Sequence, residues 1–488
     1  MTELDPRLNI LPQGGRDGAG GLKVHLVGIA GVAMTALAGL LAEAGAEISG
    51  SDRGIYPPMS DILKEMRVDF REGYGPETLP EDCRLVVIGN VVTRHFPVLE
   101  KIRELKKPYL SLPQTLAALF LNKTRNLVVA GCHGKTSTTA LCAKIWAAAG
   151  LRPGFLIGGG SLDFPRPWRQ ARGEHFIIEG DEYDSAFFNK APKFLHYRPE
   201  TVILTSVEFD HADIYPNLES VVAAYESLMK IIPPEGRLIA WGDDPLVRRV
   251  ARACRARVDF YGLNEDNNWR ILGFREDGFG SAFELAGPEA FYARLSLTRP
   301  GVYNALNAAA AGAAFIGQGG DGRCLAPALA AFQGIRRRQE ILGDFNGLTL
   351  VDDFAHHPTA VGQTLAAVRG AFPGRRLLAA FEPRSNTSRR AVFQADYARA
   401  LAGADLVFLR RPPDPQKAPE GDRLDVERLA ADLAPRASIF DDGPNLGRAL
   451  VRESGPGDVI LMMSNGDFDG LSAYLREHLG QNVREAKI

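Results

Sequence analysis

The sequence predicts an α/β protein built from three successive blocks, and three restarts of one pattern predict it. From Lys23 a buried apolar run leads through a glycine turn into a helix. The pattern restarts at Asn126, and again around Leu342-Gly343-Asp344. Strands that alternate with helices imply parallel sheets covered by helices. The length of 488 residues agrees, at roughly 100–200 residues per domain.

In the first block, KVHLVGIAGVAMTALAGLLAEAG (23–45) reads as a strand, a turn at Gly28 and Gly31, and a small-residue helix. A second strand ends at Gly50-Ser51-Asp52, and LVVIGN (85–90) is a further buried strand. Residues 1–21, punctuated by Gly and Pro, read as a flexible tail. In the second block LVVAG (127–131) is a strand and Thr136 to Ala149 a helix, and FIIEGDEYD (176–184), TVILTSV (201–207) and RLIAW (237–241) add strands. In the third, LTLVDD (348–353), RLLAAFEP (376–383), DLVFL (405–409) and DVILMM (458–463) read as four strands with helices between them. The expected domains are 22–122, 123–341 and 342–488.

Composition narrows the function class. The chain is 45% apolar and 24% charged with a formal net charge of -2, so nothing points to nucleic acid or another polyanion. No apolar run approaches the ~20 residues that span a bilayer, and the first residues lack the basic start and apolar stretch of a secretory signal. Five scattered cysteines without a CxxC pair fit a reducing cytoplasm better than a disulfide scaffold.

The strongest chemical signal is VVAGCHGKTST (128–138). A strand running through glycines into a helix presents successive backbone N–H groups and the positive end of the helix dipole to an anion. Gly131, His133, Gly134 and Ser137 frame the loop. Lys135 supplies a charge for the β/γ-phosphates and Thr136 a hydroxyl for Mg²⁺. The usual GxxxxGK[ST] spacing would put a glycine at Val129, so the match is imperfect by one residue. The expected ligand is ATP with Mg²⁺.

Acidic and histidine segments follow strand ends. In EGDEYD (179–184) the carboxylates call for a cation, and Glu179, nearest the strand, is the best metal ligand. Asp181 and Asp184 read equally as a solvated turn. His211, in EFDHAD (208–213), is either a metal ligand or structural. In LVDDFAHHPT (350–359), Asp352 and Asp353 lie at a strand end, where α/β sheets bind ligands, and the unusual pair His356-His357 is either catalytic or a capping or packing pair. GIRRRQE (334–340) sets three arginines before that strand, and arginine suits a developing phosphoryl charge.

Taken in order, the GKT loop, the acidic strand end, the DH loop, an asparagine pair, an arginine and a DD segment resemble the Mur ligase family over about residues 22–480. The resemblance implies a Rossmann-like N-terminal domain, a P-loop-containing central mixed sheet and a Rossmann-like C-terminal domain. In RPGVYNALNAAAA (299–311) it implies adenine contacts at Asn304 and Asn307, with Tyr303 where a histidine is common. It implies a γ-phosphate contact for Arg338 and a ribose contact for Asp353. The first block would bind the UDP part of a UDP-sugar through Gly28, Ala30, Gly31, Val32, Ser51, Asp52 and Asn90. Asp52 has an ordinary strand-end turn as its alternative. The third block would hold the incoming peptide through Arg384, Ser385 and Asn386, with a surface ion pair as the alternative for Arg384. Several family members place a carbamoylated lysine beside a second Mg²⁺. No lysine lies between His211 and Met229, and Glu226 stands about where a carboxylate would be needed.

The strings GSDRGIYPPMS (50–60), GNVVTR (89–94), EFDHADIY (208–215), FAHHPT (354–359), EPRSNT (382–387) and MSNGDFDG (463–470) look closest to members that join UDP-N-acetylmuramate to L-alanyl-γ-D-glutamyl-meso-diaminopimelate, in peptidoglycan recycling. Cys132, where threonine is usual, and the stretch around Asp467 and Asp469, near which glycines are usual, depart from that pattern. The implied chemistry is ATP-dependent amide formation through an acyl phosphate, with Lys135 and Arg338 on the transferring phosphoryl group and His211 or His357 as base. A monomer or weak homodimer is expected. Ligation of L-alanine is the alternative. GIAGVA followed by Asp52 also mimics a nicotinamide-binding fingerprint, and a non-catalytic UDP-sugar sensor is the remaining rival.

Overall fold

A computed structural model describes residues 4–12, 18–55 and 59–485. The first block is a five-stranded, wholly parallel sheet. Its strands lie in the order Asp69–Glu72, Glu47–Asp52, Lys23–Val27, Leu85–Ile88, Tyr109–Ser111. This is the 3-2-1-4-5 winding of a Rossmann-like domain. The strand residues Leu85–Ile88 are buried throughout, as a central parallel strand must be when helices cover both faces. Tyr56, Pro57 and Pro58, part of the YPPMS string, lie outside the described residues.

The expected loose tail is corrected where it is described. Pro6–Leu8 form a short 3-10 helix capped by Asp5, and Leu4 is buried in a cluster with Val27, Tyr74 and Val86. The Asn9 side chain donates to Tyr109 O at 3.2 Å, and its carbonyl accepts from Gln114 Nε2 at 2.7 Å. Glycine and proline punctuation set this segment's conformation, and Leu4, with Leu8 packed against the same cluster, docks it.

In the second block the strands Arg257–Gly262, Arg237–Trp241, Thr201–Leu204, Arg125–Ala130, His175–Gly180 and Gly154–Leu156 run side by side and parallel in that order. Trp168–Arg169 closes the edge antiparallel, so this sheet is mixed. Trp168 fits a notch on the first-block helix Val32–Glu43: a Cβ on Gly39 would lie 2.0 Å from its ring. Beside it Gln170 N donates to Glu43 Oε2 at 2.8 Å.

The third block has the strand order Glu340–Phe345, Leu348–Asp353, Val459–Met463, Leu377–Phe381, Leu406–Arg410, Ala437–Phe440. Only the first pair is antiparallel. All four predicted strands are present, and Glu340–Phe345 is an added edge. Two apolar clusters, one on each face, hold helices such as Pro358–Ala371 and Gly443–Glu453 to the sheet.

The chain packs as two compact units. One comprises Met1–Glu208, Glu219–Arg270 and Ala308–Ala328, the other Phe209–Leu218, Ile271–Asn307 and Leu329–Ile488. The loop holding His211 and the antiparallel pair Gly280–Ala286 and Tyr292–Leu297 therefore pack with the third sheet's unit.

Candidate functional site

The loop between Arg125–Ala130 and Lys135–Ala148 is built around two glycines. Gly131 has φ 131°, and a Cβ there would lie 2.2 Å from Thr205 Oγ1. Gly134, with φ 78°, is the N-cap of the helix. Both positions lie where side chains are strained. The loop is stitched to the segment after the neighbouring strand: His133 N donates to Ser206 Oγ at 2.9 Å, and Cys132 Sγ lies 3.2 Å from both the N and the O of Glu208. Cys132, anomalous in the sequence, thus ties the loop to Glu208. His133 Nε2 lies 3.3 Å from the Glu208 carboxylate, and Ser137 is half-buried on the first helical turn.

Lys135 Nζ donates to Gly131 O at 2.7 Å and to Glu182 Oε2 at 3.0 Å. Burial works against its charge, yet the carboxylates of Glu182 and Asp181 hold it above the ordinary lysine range. Thr136 Oγ1 donates to Glu179 Oε2 at 3.1 Å, and the other Glu179 oxygen accepts from Gly158 N. Burial, with Asp181 adding, pushes Glu179 up to about 7. A buried carboxylate, Glu182, a half-buried one, Glu179, and the Thr136 hydroxyl therefore surround the first turn of the phosphate-loop helix. The rest of the acidic turn is ion-paired: Asp181 with Lys193 at 3.2 Å and Asp184 with Lys190 at 2.5 Å.

On the helix Leu218–Lys230 the Glu226 carboxylate acts on Arg249, and the preceding residue, Tyr225, brings its hydroxyl within 3.8 Å of Cys132 Sγ. The 3.6-residue period turns Glu226 about 100° away from Tyr225. Glu182 is the acid beside the lysine.

The other unit gathers the histidines. His211 adopts a left-handed backbone (φ 52°), and its N–H donates to Asp210 Oδ1 at 2.7 Å. A non-glycine residue in this region carries a cost of order 1–3 kcal/mol that its surroundings must offset. Burial opposes the charge of Asp210, but His211, His356 and His357 hold its carboxyl well below the usual range. Burial takes His356 down to about 4, partly countered by Asp210. His357 is the N-cap of Pro358–Ala371: Nδ1 accepts from Thr359 N at 3.4 Å, and Nε2 lies 3.3 Å from Phe209 O. His357 thus caps Pro358–Ala371 with one ring nitrogen and faces a carbonyl with the other.

Asn304 opens the helix Val302–Gly317, with its amide donating to Pro300 O at 2.7 Å and Gln339 Oε1 at 2.8 Å; Asn307, one turn on, is buried. Asp353 is buried and occupied, accepting from Gln339 N at 2.8 Å and Ala355 N at 2.7 Å. This makes it a clamp on the turn carrying Arg338, whose guanidinium lies 4.8 Å over the Phe354 ring.

In the first block, Gly28 turns at φ 87°, and its N–H and that of Ile29 donate to Ser51 O. Asp52 Oδ2 accepts from Ala30 N at 2.8 Å, and Oδ1 from Arg53 N and Tyr74 Oη. Asp52 thereby shapes the glycine turn from the neighbouring strand. Gly31 is the N-cap of Val32–Glu43, Val32 is exposed at its start, and Asn90 is exposed beyond Leu85–Ile88.

In the third block Arg384 lies across Gly466, and its nearest carboxylate is Glu382 at 3.9 Å, a fully buried partner rather than a surface one. Ser385 Oγ accepts from Ser388 N at 2.9 Å, and Asn386 Nδ2 donates to Asp213 Oδ2 at 2.9 Å. Asp469, an odd residue in the sequence, pairs with Arg410 at 2.8 Å and accepts from Gly443 N at 2.9 Å.

Sequence reading missed Glu182, Tyr225, Gln339 and Glu382 as site residues. Glu182 and Glu382 each sit within two residues of a strand's carboxyl end, a signal that was readable. Tyr225 and Gln339 depend on helix phase and on a left-handed turn at Gln339 (φ 49°), which spacing does not reveal.

Comparison with known proteins covers most of the chain. Residues 23–124 match the family described as "Mur ligase family, catalytic domain", residues 129–315 the "Mur ligase middle domain" and residues 337–466 the "Mur ligase, glutamate ligase domain". The chain is similar to the UDP-N-acetylmuramate–L-alanyl-gamma-D-glutamyl-meso-2,6-diaminoheptandioate ligase of Escherichia coli K12, at 37% identity over 96% of this chain and 100% of that protein. It is also similar to the UDP-N-acetylmuramate–L-alanine ligase of Syntrophomonas wolfei, at 32% identity over 94% of this chain and 98% of that one. Among solved structures, the murein peptide ligase of Psychrobacter arcticus superposes with a TM-score of 0.73 at 31% identity, covering 94% of this chain and 99% of that one. With its three sheets, its phosphate loop and an end-to-end likeness of this strength, the chain belongs to the Mur ligase family.

Proposed function

We propose that the protein joins the lactyl carboxylate of UDP-N-acetylmuramate to the α-amine of L-alanyl-γ-D-glutamyl-meso-diaminopimelate, consuming ATP, in peptidoglycan recycling. The observation that carries this reading is the 37% identity, over the whole length of both chains, to the E. coli ligase named for that reaction. The phosphate loop supplies the matching chemistry.

A carboxylate is a poor acyl donor because its leaving group would be oxide; transfer of the ATP γ-phosphoryl group makes it an acyl phosphate that releases phosphate instead. The N–H groups of the 131–136 loop and the Lys135 ammonium stabilise charge on the transferring group. Arg338 is assigned to the same charge, and Asn304 and Asn307 to the adenine, on the family resemblance. Asp353 fits a role in fixing the turn beside Arg338. The peptide amine then attacks the acyl carbon, loses a proton and expels phosphate.

Mg²⁺ fits the donors here. Thr136 and Glu179 offer hard oxygen donors, and a cation beside Glu179 would favour the charged form that burial disfavours. When bound, the ion supplies positive charge to phosphate oxygens. His211 and Glu226 are assigned to a metal by resemblance.

The domains assigned to these tasks are 22–122 for the UDP-sugar, with Gly28, Ala30, Gly31, Val32, Ser51, Asp52 and Asn90 shaping that site, 123–341 for ATP, and 342–488 for the peptide through Arg384, Ser385 and Asn386. The protein works in the cytoplasm as a monomer or weak homodimer; among the described residues no helix is long and apolar enough to cross a membrane.

The test offers the purified protein ATP, Mg²⁺ and UDP-N-acetylmuramate with either the tripeptide or L-alanine, and follows phosphate release. The tripeptide is expected to be strongly preferred. Preference for L-alanine would replace the tripeptide with the substrate of the S. wolfei relative and leave the ligase chemistry standing.

A further inference from the structure

Cys132 and Lys135, on the same phosphate loop, are joined to one another through a buried phenol. Tyr225 is 0% exposed on the helix Leu218–Lys230, with its ring 5.8 Å from that of Phe194. Its hydroxyl lies 3.8 Å from Cys132 Sγ. Burial above all, and then Cys132 and Glu182, hold the proton on this phenol, and a hydrogen bond joins it to the Glu182 side chain. Glu182 pairs in turn with Lys135 Nζ at 3.0 Å, and Nζ donates to Gly131 O at 2.7 Å. Gly131 is the chain neighbour of Cys132, so these contacts close a ring. It runs from the Cys132 thiol through the Tyr225 hydroxyl, the Glu182 carboxylate and the Lys135 ammonium to the Gly131 carbonyl.

What each group can donate or accept sets the direction of the bonds. An ionised carboxylate only accepts, and an ammonium only donates. The phenol therefore gives its single hydrogen to Glu182, the charged and stronger acceptor, and turns a lone pair toward the sulfur. The thiol is held from its other side by the main chain of Glu208, whose N–H donates to it at 3.2 Å. The Lys135 ammonium has three hydrogens; Gly131 O and Glu182 take two, and one serves a phosphate oxygen. A phenol turns about only two side-chain bonds, and Phe194 packs against this one, so it is a rigid post between the two ends of the loop. Without its hydroxyl the Glu182 carboxylate, 1% exposed, has no bulk water to replace the lost donor, and the ammonium that it holds shifts with it.

We propose that Tyr225 is a positioning residue for the phosphate loop: its hydroxyl closes the buried ring that ties Cys132 to Lys135 and so holds the ammonium where the phosphates arrive. It acts through Cys132 and Glu182 and does not itself meet the nucleotide. This rests on the reading of the loop as an ATP site.

The experiment titrates the full-length protein with Mg²⁺ and the ATP analogue AMP-PNP by calorimetry, in the parent protein, Tyr225→Phe, Cys132→Ala and the double variant. Tyr225→Phe removes only the hydroxyl and keeps the ring packed. It is expected to raise the Kd roughly 10-fold, the worth of one hydrogen bond to a charged group. Cys132→Ala opens the ring at another point and should raise the Kd as well. In the Tyr225→Phe background the same change loses only the contact with Glu208, so the double variant should bind more tightly than the product of the two single effects allows. A misfolded fraction would lower the binding stoichiometry and leave the Kd where it was, so the Kd reports position rather than folding. An unchanged Kd in either single variant, or a double variant equal to the product of the singles, would overturn the assignment while leaving the ATP site standing. Failure of the parent protein to bind the analogue would overturn the ATP reading and this one with it.

Discussion

Lys135 and Glu182 form an ion pair of 3.0 Å whose acidic member is 1% exposed, directly beneath the phosphate loop. Removing one partner of a buried pair leaves the other uncompensated, at a cost of about 3–5 kcal/mol. Glu182→Gln is therefore expected to lower the melting temperature and raise the KM for ATP, because the ammonium loses the carboxylate that holds it in place. Lys135→Ala should instead cut ATP-dependent phosphate release by roughly 100- to 1000-fold. Melting curves and steady-state kinetics on the two variants separate these effects; equal melting temperature for Glu182→Gln and the parent protein would show that the pair contributes nothing to stability.

Gly131→Ala is expected to disable the loop while the rest of the fold persists. Its φ of 131° and the 2.2 Å approach to Thr205 Oγ1 force the backbone to move. A displacement near 1 Å at a catalytic loop can lower the rate roughly 100-fold. Circular dichroism close to that of the parent, with turnover reduced to that extent, is the expected pair of results.

The notch at Gly39 gives a test of the packing between the first sheet's helix and the edge strand of the second. Gly39→Val must displace the Trp168 ring, at about 1–3 kcal/mol for overpacking. Trp168→Ala alone empties the space, at about 3–5 kcal/mol. The double variant should be less damaged than the sum of the two, by more than about 0.5 kcal/mol. Additive losses in a double-mutant cycle would mean that the two residues do not share this space.

His25 is fully buried against Ser49 and Ser51, at 2.9 Å and 3.2 Å. Burial lowers it from 6.5 to about 4. The unfolded chain therefore binds more protons between these values, and stability rises with pH across that window. The contribution is full above pH 6.5 and lost as pH falls toward 4, about 3 kcal/mol in all. His25→Gln should flatten this part of the stability–pH curve; an unchanged slope between the two proteins counts against it.

The sheets were legible because parallel strands buried on both faces read as unbroken apolar runs, as in Leu85–Ile88 and Leu377–Phe381. The phosphate loop was legible because backbone geometry there demands glycine at fixed places. Tyr225 was not legible because only the helix phase that buries it sets its hydroxyl beside Cys132. His357 was legible only as a set of alternatives, because which ring nitrogen caps Pro358–Ala371 depends on backbone geometry that spacing does not reveal. The strands Arg257–Gly262 and Trp168–Arg169 were not anticipated because short or partly exposed elements carry little apolar signal.

The docking of Leu4 and Asn9 onto the first sheet has a practical consequence for how the protein is handled. Asn9 reaches the capping box that starts the helix Leu112–Leu119, where Ser111 and Gln114 bond reciprocally. A shortened version beginning at Leu22 would retain every strand yet expose Tyr74 and Val86 to water and leave Gln114 without its outer partner. Such a truncation should aggregate more readily and resist proteolysis less well around residue 112, so purification tags belong at the far end of the chain.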